Sequence, residues 1–108
     1  MPNGGPTAPI YTATAVKVAY EWFVSILFSE IMDTAKGSTY SFLVEDEYGM
    51  SFDVTSAVWT SPVVFRLTVN DFGMQPYAAL YTTPIDPAQK MMSAAGIESV
   101  QESTLIVA

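Results

Sequence analysis

The densest group of side chains that could do chemistry in this sequence is a cluster of carboxylates. Glu45, Asp46 and Glu47 are consecutive, and Asp53 follows shortly after them. Carboxylate oxygens are ligands for Ca²⁺, and a pair of carboxylates with different pKa values can hydrolyse a glycosidic bond. However, neighbouring residues of a strand point to opposite faces, and this spacing does not match an EF-hand loop. The cluster therefore predicts a solvated hairpin tip rather than a metal or catalytic site.

The sequence lacks the residue types on which most catalytic sites depend. It contains no histidine and no cysteine, so it has neither the usual general base nor a thiolate metal ligand. No serine lies in a G-x-S-x-G elbow, and Gly4 and Gly5 do not form a phosphate-binding loop. The Asp-Phe-Gly triplet at 71–73 is interpreted as a turn, because no kinase domain surrounds it. We expect no enzymatic activity, no cofactor and no bound metal.

The remaining candidates are aromatic and methionine side chains that could form a contact surface. Tyr and Trp bury large areas while keeping a polar group for a wet edge, and Met adapts to irregular contacts. These properties favour packing in a core or an interface over a surface that stacks on sugars. The predicted interface residues are Tyr11, Tyr20, Trp22, Trp59, Tyr77, Tyr81, Met91 and Met92.

The composition is unusually apolar for a chain of 108 residues. Half of the residues are hydrophobic and 14% are charged, whereas a typical soluble domain has about 25% charged residues. A core of this size cannot enclose all of these side chains. We therefore expect apolar surface that faces a partner.

The net charge of −7 argues against nucleic acid as that partner, because phosphate binding depends on clustered basic residues. The sequence has four of them: Lys17, Lys36, Arg66 and Lys90. A membrane is not expected either. The longest apolar run, 23–28, is interrupted by Ser25, whereas a spanning helix needs about 20 apolar residues. There is no basic segment before Val16 of the kind that begins a signal peptide.

The longest regular pattern lies at 16–28, where every second residue is apolar. This alternation predicts a strand with one face wholly buried. A helix at 16–35 is the alternative, because polar residues recur every four positions and Gly37 could follow its end.

Alternation continues at 39–45 and 50–58, with a polar turn at 46–49, and predicts a β-hairpin. Further strands are predicted at 63–69, 77–82 and 104–108, with a short helix near 87–95 that Asp86 caps. The sequence therefore predicts an all-β sandwich or small barrel of about six strands, with α+β as the alternative. Residues 1–9 are predicted to form an extended arm and residues 10–108 a single β-rich domain.

These features favour a structural subunit of a larger assembly, such as a phage capsid-decoration, cement or tail component located in the virion. Its partners would be copies of itself, in a homo-oligomer, or a larger coat or tail protein. A carbohydrate- or peptide-binding β-module is the alternative. An acidic inhibitor that mimics nucleic acid is a further one, although the stretch 54–66 contains no acid and a mimic should concentrate its carboxylates.

Overall fold

The computed structural model describes residues 7–107, and in this part of the chain it shows one β-sheet of eight strands. The strands are β1 (Tyr11–Val18), β2 (Glu21–Phe28), β3 (Phe42–Glu45), β4 (Ser51–Phe52), β5 (Val54–Ser61), β6 (Val64–Asn70), β7 (Ala78–Tyr81) and β8 (Ser103–Val107). Their spatial order is β4-β3-β7-β8-β1-β2-β6-β5, and β1 and β8 are the parallel pair. The predicted all-β fold is confirmed, with more strands than the expected six.

The two edge strands of this sheet are neighbours in sequence. β4 ends at Phe52 and β5 begins at Val54, so Asp53 alone separates the first strand in the spatial order from the last. The Asp53 N–H donates to Asn70 Oδ1 (2.9 Å), and the Asp53 carbonyl accepts from the Asn70 N–H (3.3 Å). Because one continuous segment forms both edges, the sheet curls into a nearly closed barrel.

The segment 16–28, predicted as one strand, is divided by a turn at Ala19 and Tyr20. Val18 pairs with Glu21 across this turn, so β1 and β2 form an antiparallel hairpin with a two-residue loop. Ala19 has φ +56°, and a positive φ at the first loop residue is a feature of type II′ hairpin turns. The single long strand is therefore wrong. The helix at 16–35 is also wrong, because most of this segment is strand.

The turn also changes which row of side chains faces the barrel interior. Residues that pair directly across an antiparallel ladder lie on the same face, and Val18 pairs with a residue three positions later. Even-numbered residues of β1 therefore share a face with odd-numbered residues of β2. Three members of the predicted buried row are exposed as a result: Val16, Val18 and Tyr20. The β1 residues buried in their place are Tyr11, Ala13 and Ala15.

The predicted hairpin at 39–58 is present but short. Its ladder pairs Val44 with Phe52 and Glu45 with Ser51, and the chain then leaves β3 to pair with β6. Tyr40 and Met50 belong to the apolar row of the alternating pattern, but they lie beyond this ladder and are exposed. The strands predicted at 63–69, 77–82 and 104–108 correspond to β6, β7 and β8, although residue 108 lies outside the described residues.

The helix predicted near 87–95 is a single 3₁₀ turn at Pro87–Gln89. Asp86 caps it as expected, because its carboxylate accepts the Ala88 N–H (3.0 Å). The chain becomes extended at Lys90, and Met91 is fully buried in the core. Burial of Met91 outweighs the favourable helix propensity of the residues that follow the cap, because a helix this short gains little from propensity alone.

The loop between β2 and β3 packs against the barrel core at Gly37, which has φ +103°. A Cβ at this position would lie 2.7 Å from Met91 Cε and 3.0 Å from Phe65 Cζ, so a larger residue would meet both conformational strain and a clash. The Trp59 indole N–H donates to the Lys36 carbonyl (2.7 Å) and fixes the same loop.

Most of the predicted N-terminal arm, residues 1–6, lies outside the described residues. The last residues of the arm contact the domain. Thr7 Oγ1 donates to Glu30 Oε2 (2.8 Å), and the Pro9 carbonyl accepts from Ser99 Oγ (2.9 Å). Within residues 7–107, no helix has the length and hydropathy needed to cross a bilayer.

The turn at Ala19 gives a stability prediction. Ala19→Gly should raise the free energy of unfolding by about 0.5–1 kcal/mol, because glycine adopts positive φ without a Cβ clash. Urea unfolding monitored by tryptophan fluorescence would measure this change. The matched control is Ala15→Gly in the same hairpin, which should lower stability because Ala15 is buried in a strand interior. Equal losses in both variants would contradict this account of the turn.

Candidate functional site

Outward-facing side chains of five neighbouring strands form one apolar surface, which we call the outer face. These strands are β8, β1, β2, β6 and β5, and the ladders place their side chains in rows across the sheet. The apolar members are Leu105, Val107, Val16, Val18, Phe23, Leu27, Val64 and Val58. The polar members between them are Thr12, Thr14, Ser25, Ser56, Arg66 and Thr68, and Glu21 pairs with Val18 at the turn end. The outer face is therefore almost free of charge.

Much of the apolar side-chain area of the outer face is open to solvent. Val107 is 69% exposed, Leu105 62% and Val16 61%, and these residues lie on adjacent strands. Single exposed apolar residues are normal on a soluble protein, but a contiguous group of them marks a contact surface. We therefore take the outer face as the candidate functional site.

Arg66 is the basic residue of the outer face. Its Cζ lies 4.5 Å from the centre of the Phe23 ring, which is a cation–π contact. Its Nε is buried without a hydrogen-bond partner, and both ion pairs in residues 7–107 involve other cations. The guanidinium therefore has an aromatic neighbour but no counter-ion from the described part of the chain.

One end of the outer face is bordered by an ion pair next to the β1–β2 turn. Lys17 Nζ lies 2.9 Å from Asp71 Oδ2, and the Gly73 N–H donates to Asp71 Oδ1 (2.9 Å). The Gly73 backbone bond, followed by Lys17, lowers the pKa of Asp71 below its ordinary value. The Trp22 indole N–H approaches the same carboxylate without meeting hydrogen-bond geometry. This group links the β1–β2 hairpin to the segment that follows β6.

The carboxylate cluster does form a hairpin tip, although Asp46 is buried rather than solvated. Asp46 Oδ1 accepts the backbone N–H groups of Tyr48 (2.8 Å) and Met50 (2.9 Å). These bonds hold the turn between β3 and β4 and occupy the Asp46 carboxylate. Across residues 7–107, no three acidic, histidine or cysteine side chains converge as metal ligands would.

The structure places Tyr11, Tyr81 and Met91, which were predicted at an interface, in the core. Tyr81 Oη donates to Glu98 Oε2 (2.7 Å) and accepts the Met91 N–H (3.0 Å), and Glu98 Oε1 lies 3.3 Å from Lys90 Nζ. Burial, followed by the hydrogen bond to Glu98, raises the pKa of Tyr81 well above its ordinary value. These three side chains hold the tertiary structure together and are not available as a contact surface.

The other predicted interface residues do not form one patch. Trp59 is half-buried against Phe28 and Phe65, and Trp22 is half-buried at the barrel end. Met92 is half-buried in an isolated bridge to Glu98. Tyr20 and Tyr77 are exposed, but no aromatic ring pair in the described residues includes either of them. The structure therefore provides no row of aromatic rings at these positions for stacking on a sugar.

The aliphatic residues of the outer face were not among the predicted interface residues. The sequence did indicate part of this surface, because β2 has apolar residues on both of its faces. Phe23 and Leu27 lie on the face opposite the buried row. The signal from Val16 and Val18 was hidden, since these residues continue the β2 core row in the printed sequence. Only the turn at Ala19 moves them outside.

Comparison of the chain with protein-family models, curated proteins and solved structures finds no match.

The buried tyrosines predict how stability depends on alkaline pH. Burial raises the pKa of Tyr11 to about 12, from 10.0 in an unfolded chain. A raised pKa means that folding favours the protonated phenol. The contribution of the Tyr11 hydroxyl to the free energy of unfolding is therefore complete below pH 10 and is lost as the pH rises towards 12. Between pH 10 and pH 12 the free energy of unfolding of Tyr11→Phe should therefore fall by about 1–2 kcal/mol less than that of the wild type.

Chemical unfolding at a series of alkaline pH values would measure this difference. The matched control is Tyr20→Phe, which removes the same hydroxyl from an exposed turn. A Tyr11→Phe profile parallel to those of the wild type and the control would show that Tyr11 does not contribute.

Proposed function

We propose that this protein is a non-enzymatic structural subunit that associates with copies of itself through the outer face. The observation that carries this proposal is the group of exposed aliphatic side chains on β8, β1 and β2, which have threonine and serine side chains between them. Burying this surface against another chain removes it from water, and that is the main driving force for association between proteins.

Charge favours the outer face over other surfaces for contact between two copies. Each copy carries a net charge of −7, so copies repel one another where carboxylates meet. The rows that contain Thr12, Thr14 and Val16 have no acid, whereas Glu21 pairs with Val18 at the turn end of the outer face. Two copies can therefore approach through these three rows without bringing carboxylates together.

The size of the outer face sets the expected strength. Strands about 4.8 Å apart and residues about 3.3 Å apart give a surface of about 500 Å² per copy. Two such faces together cover roughly 1,000 Å², which is at the low end of specific interfaces. We therefore expect weak, concentration-dependent association of isolated copies, strengthened where several contacts act together in an assembly.

The assembly that we favour is a viral particle, in which the chain is a capsid-decoration, cement or tail component. Small size, apolar contact area and a sequence without histidine or cysteine support this choice over an enzyme. A larger coat or tail protein would then be a second partner for the same surface.

Self-association can be tested by analytical ultracentrifugation over concentrations from about 1 μM to about 1 mM. The wild type should move from monomer to oligomer across this range. Val16→Lys should raise the dissociation constant at least about tenfold, because it places a charge beside Phe23 within the apolar contact. Added salt should strengthen wild-type association by screening the repulsion between acidic copies.

The matched control is Val100→Lys, which adds the same charge at an exposed valine outside the strands. Thermal melts of both variants would verify that each is folded. A wild type that stays monomeric throughout, or equal effects of the two substitutions, would contradict self-association through the outer face.

A further inference from the structure

The barrel is incompletely closed along one line, where a groove lies between β3 and the segment that forms β4 and β5. β3 pairs with β4 through Val44 and Glu45, whereas Phe42 and Leu43 have a ladder partner on the β7 side. β5 pairs with β6 on its other side. We call the groove between these two edges the seam.

Backbone groups along the seam have no neighbouring strand to bind. Outside the ladders, no backbone hydrogen bond in residues 7–107 involves Phe42, Leu43 or any residue of β5. Edge strands are usually protected by charged residues, proline or bulges; β5 (Val54–Ser61) contains no charged residue or proline, and its register shifts lie near its two ends. The seam therefore presents two edges that can each accept an added strand.

The seam contains an open surface groove. Its volume is about 410 Å³, within the range of about 300–1,000 Å³ that is usual for ligand sites. Leu43 and Val54 are half-buried and supply apolar surface, Phe42 and Phe52 lie beneath them in the core, and Tyr40 and Thr82 lie at the rim. Thr82 Oγ1 donates to the Tyr40 carbonyl (2.6 Å), which fixes that rim.

The charge at the seam is negative. Asp53 is exposed and lines the groove, and its backbone rather than its carboxylate is bonded to β6. Glu45 lies two residues beyond Leu43 on the same face of β3. Neither carboxylate belongs to an ion pair within the described residues.

We propose that the seam binds an extended segment of a partner polypeptide as an additional β-strand. The unpaired backbone edges select an extended backbone, Leu43 and Val54 select apolar side chains at alternate positions, and Asp53 selects a lysine or arginine among the others. The chain's own residues 1–6 fit poorly, because Met1 is their one large apolar side chain and two of them are proline. This site is separate from the outer face.

The test uses the full chain labelled with ¹⁵N and two synthetic octapeptides, acetylated and amidated at their ends. The first probe alternates valine and threonine and carries two lysines at threonine positions. The second replaces one central valine by proline, which removes a backbone donor and hinders strand pairing. Binding of the first probe should shift the amide signals of residues 42–43 and 51–54, and the proline probe should bind about tenfold more weakly or not at all.

Asp53→Asn should weaken binding of the lysine probe several-fold, since it removes the carboxylate but preserves the backbone bonds to Asn70. The matched control is Glu102→Gln, an exposed acid before β8 on another part of the barrel, which should leave the affinity unchanged. Repeating the titration on Val16→Lys separates the two sites, because that variant alters only the outer face.

Three results would overturn the proposal: no signal shifts with the first probe at millimolar concentration, equal binding of the proline probe, or shifts confined to residues outside the seam. Each of these leaves self-association through the outer face unaffected, since ultracentrifugation measures that property without a peptide.

Discussion

Between Val18 and Glu21 the chain reverses direction within two residues. This reversal sets which alternate residues of β1 and β2 face the interior, and the rest of the barrel depends on that choice. The turn pairs even-numbered residues of β1 with odd-numbered residues of β2, so the two strands bury opposite rows of the printed pattern. A slip of one residue would exchange core and surface along a whole strand. The small interior residues Ala13 and Ala15 leave room in the barrel for the large side chains of the facing strands.

The outer face is a consequence of the register at this turn. The chain has more apolar residues than one small barrel encloses. Because of the turn, Val16 and Val18 lie on the same outward side of the sheet as the apolar residues of β2. The acidic residues lie mostly in turns and loops, so charge and apolar area are separated on the surface. This separation lets a chain of high net charge have a surface suited to contact with other copies.

Closure of the sheet has a different consequence. A single segment supplies both edge strands. It pairs with β3 before Asp53 and with β6 after Asp53, so β3 and β5 diverge from that residue onward. The seam exists because this segment cannot pair with both neighbours along its full length. The barrel therefore has two unpartnered features of different chemistry, an aliphatic face without backbone donors and a groove with them.

The sequence by itself determined the all-β class, the hairpin tip at 46–49, the cap at Asp86 and most strand positions, because these follow from local alternation and turn chemistry. It also determined that apolar residues exceed what the interior holds. Tertiary structure decided which residues form that excess. Nothing local distinguishes Val16 from Val24, since both belong to one alternating row, and only a turn at an ordinary alanine places the first outside and the second inside. Burial of Tyr11, Tyr81 and Met91 likewise depends on contacts between residues far apart in the chain, which alternation within a single strand cannot encode.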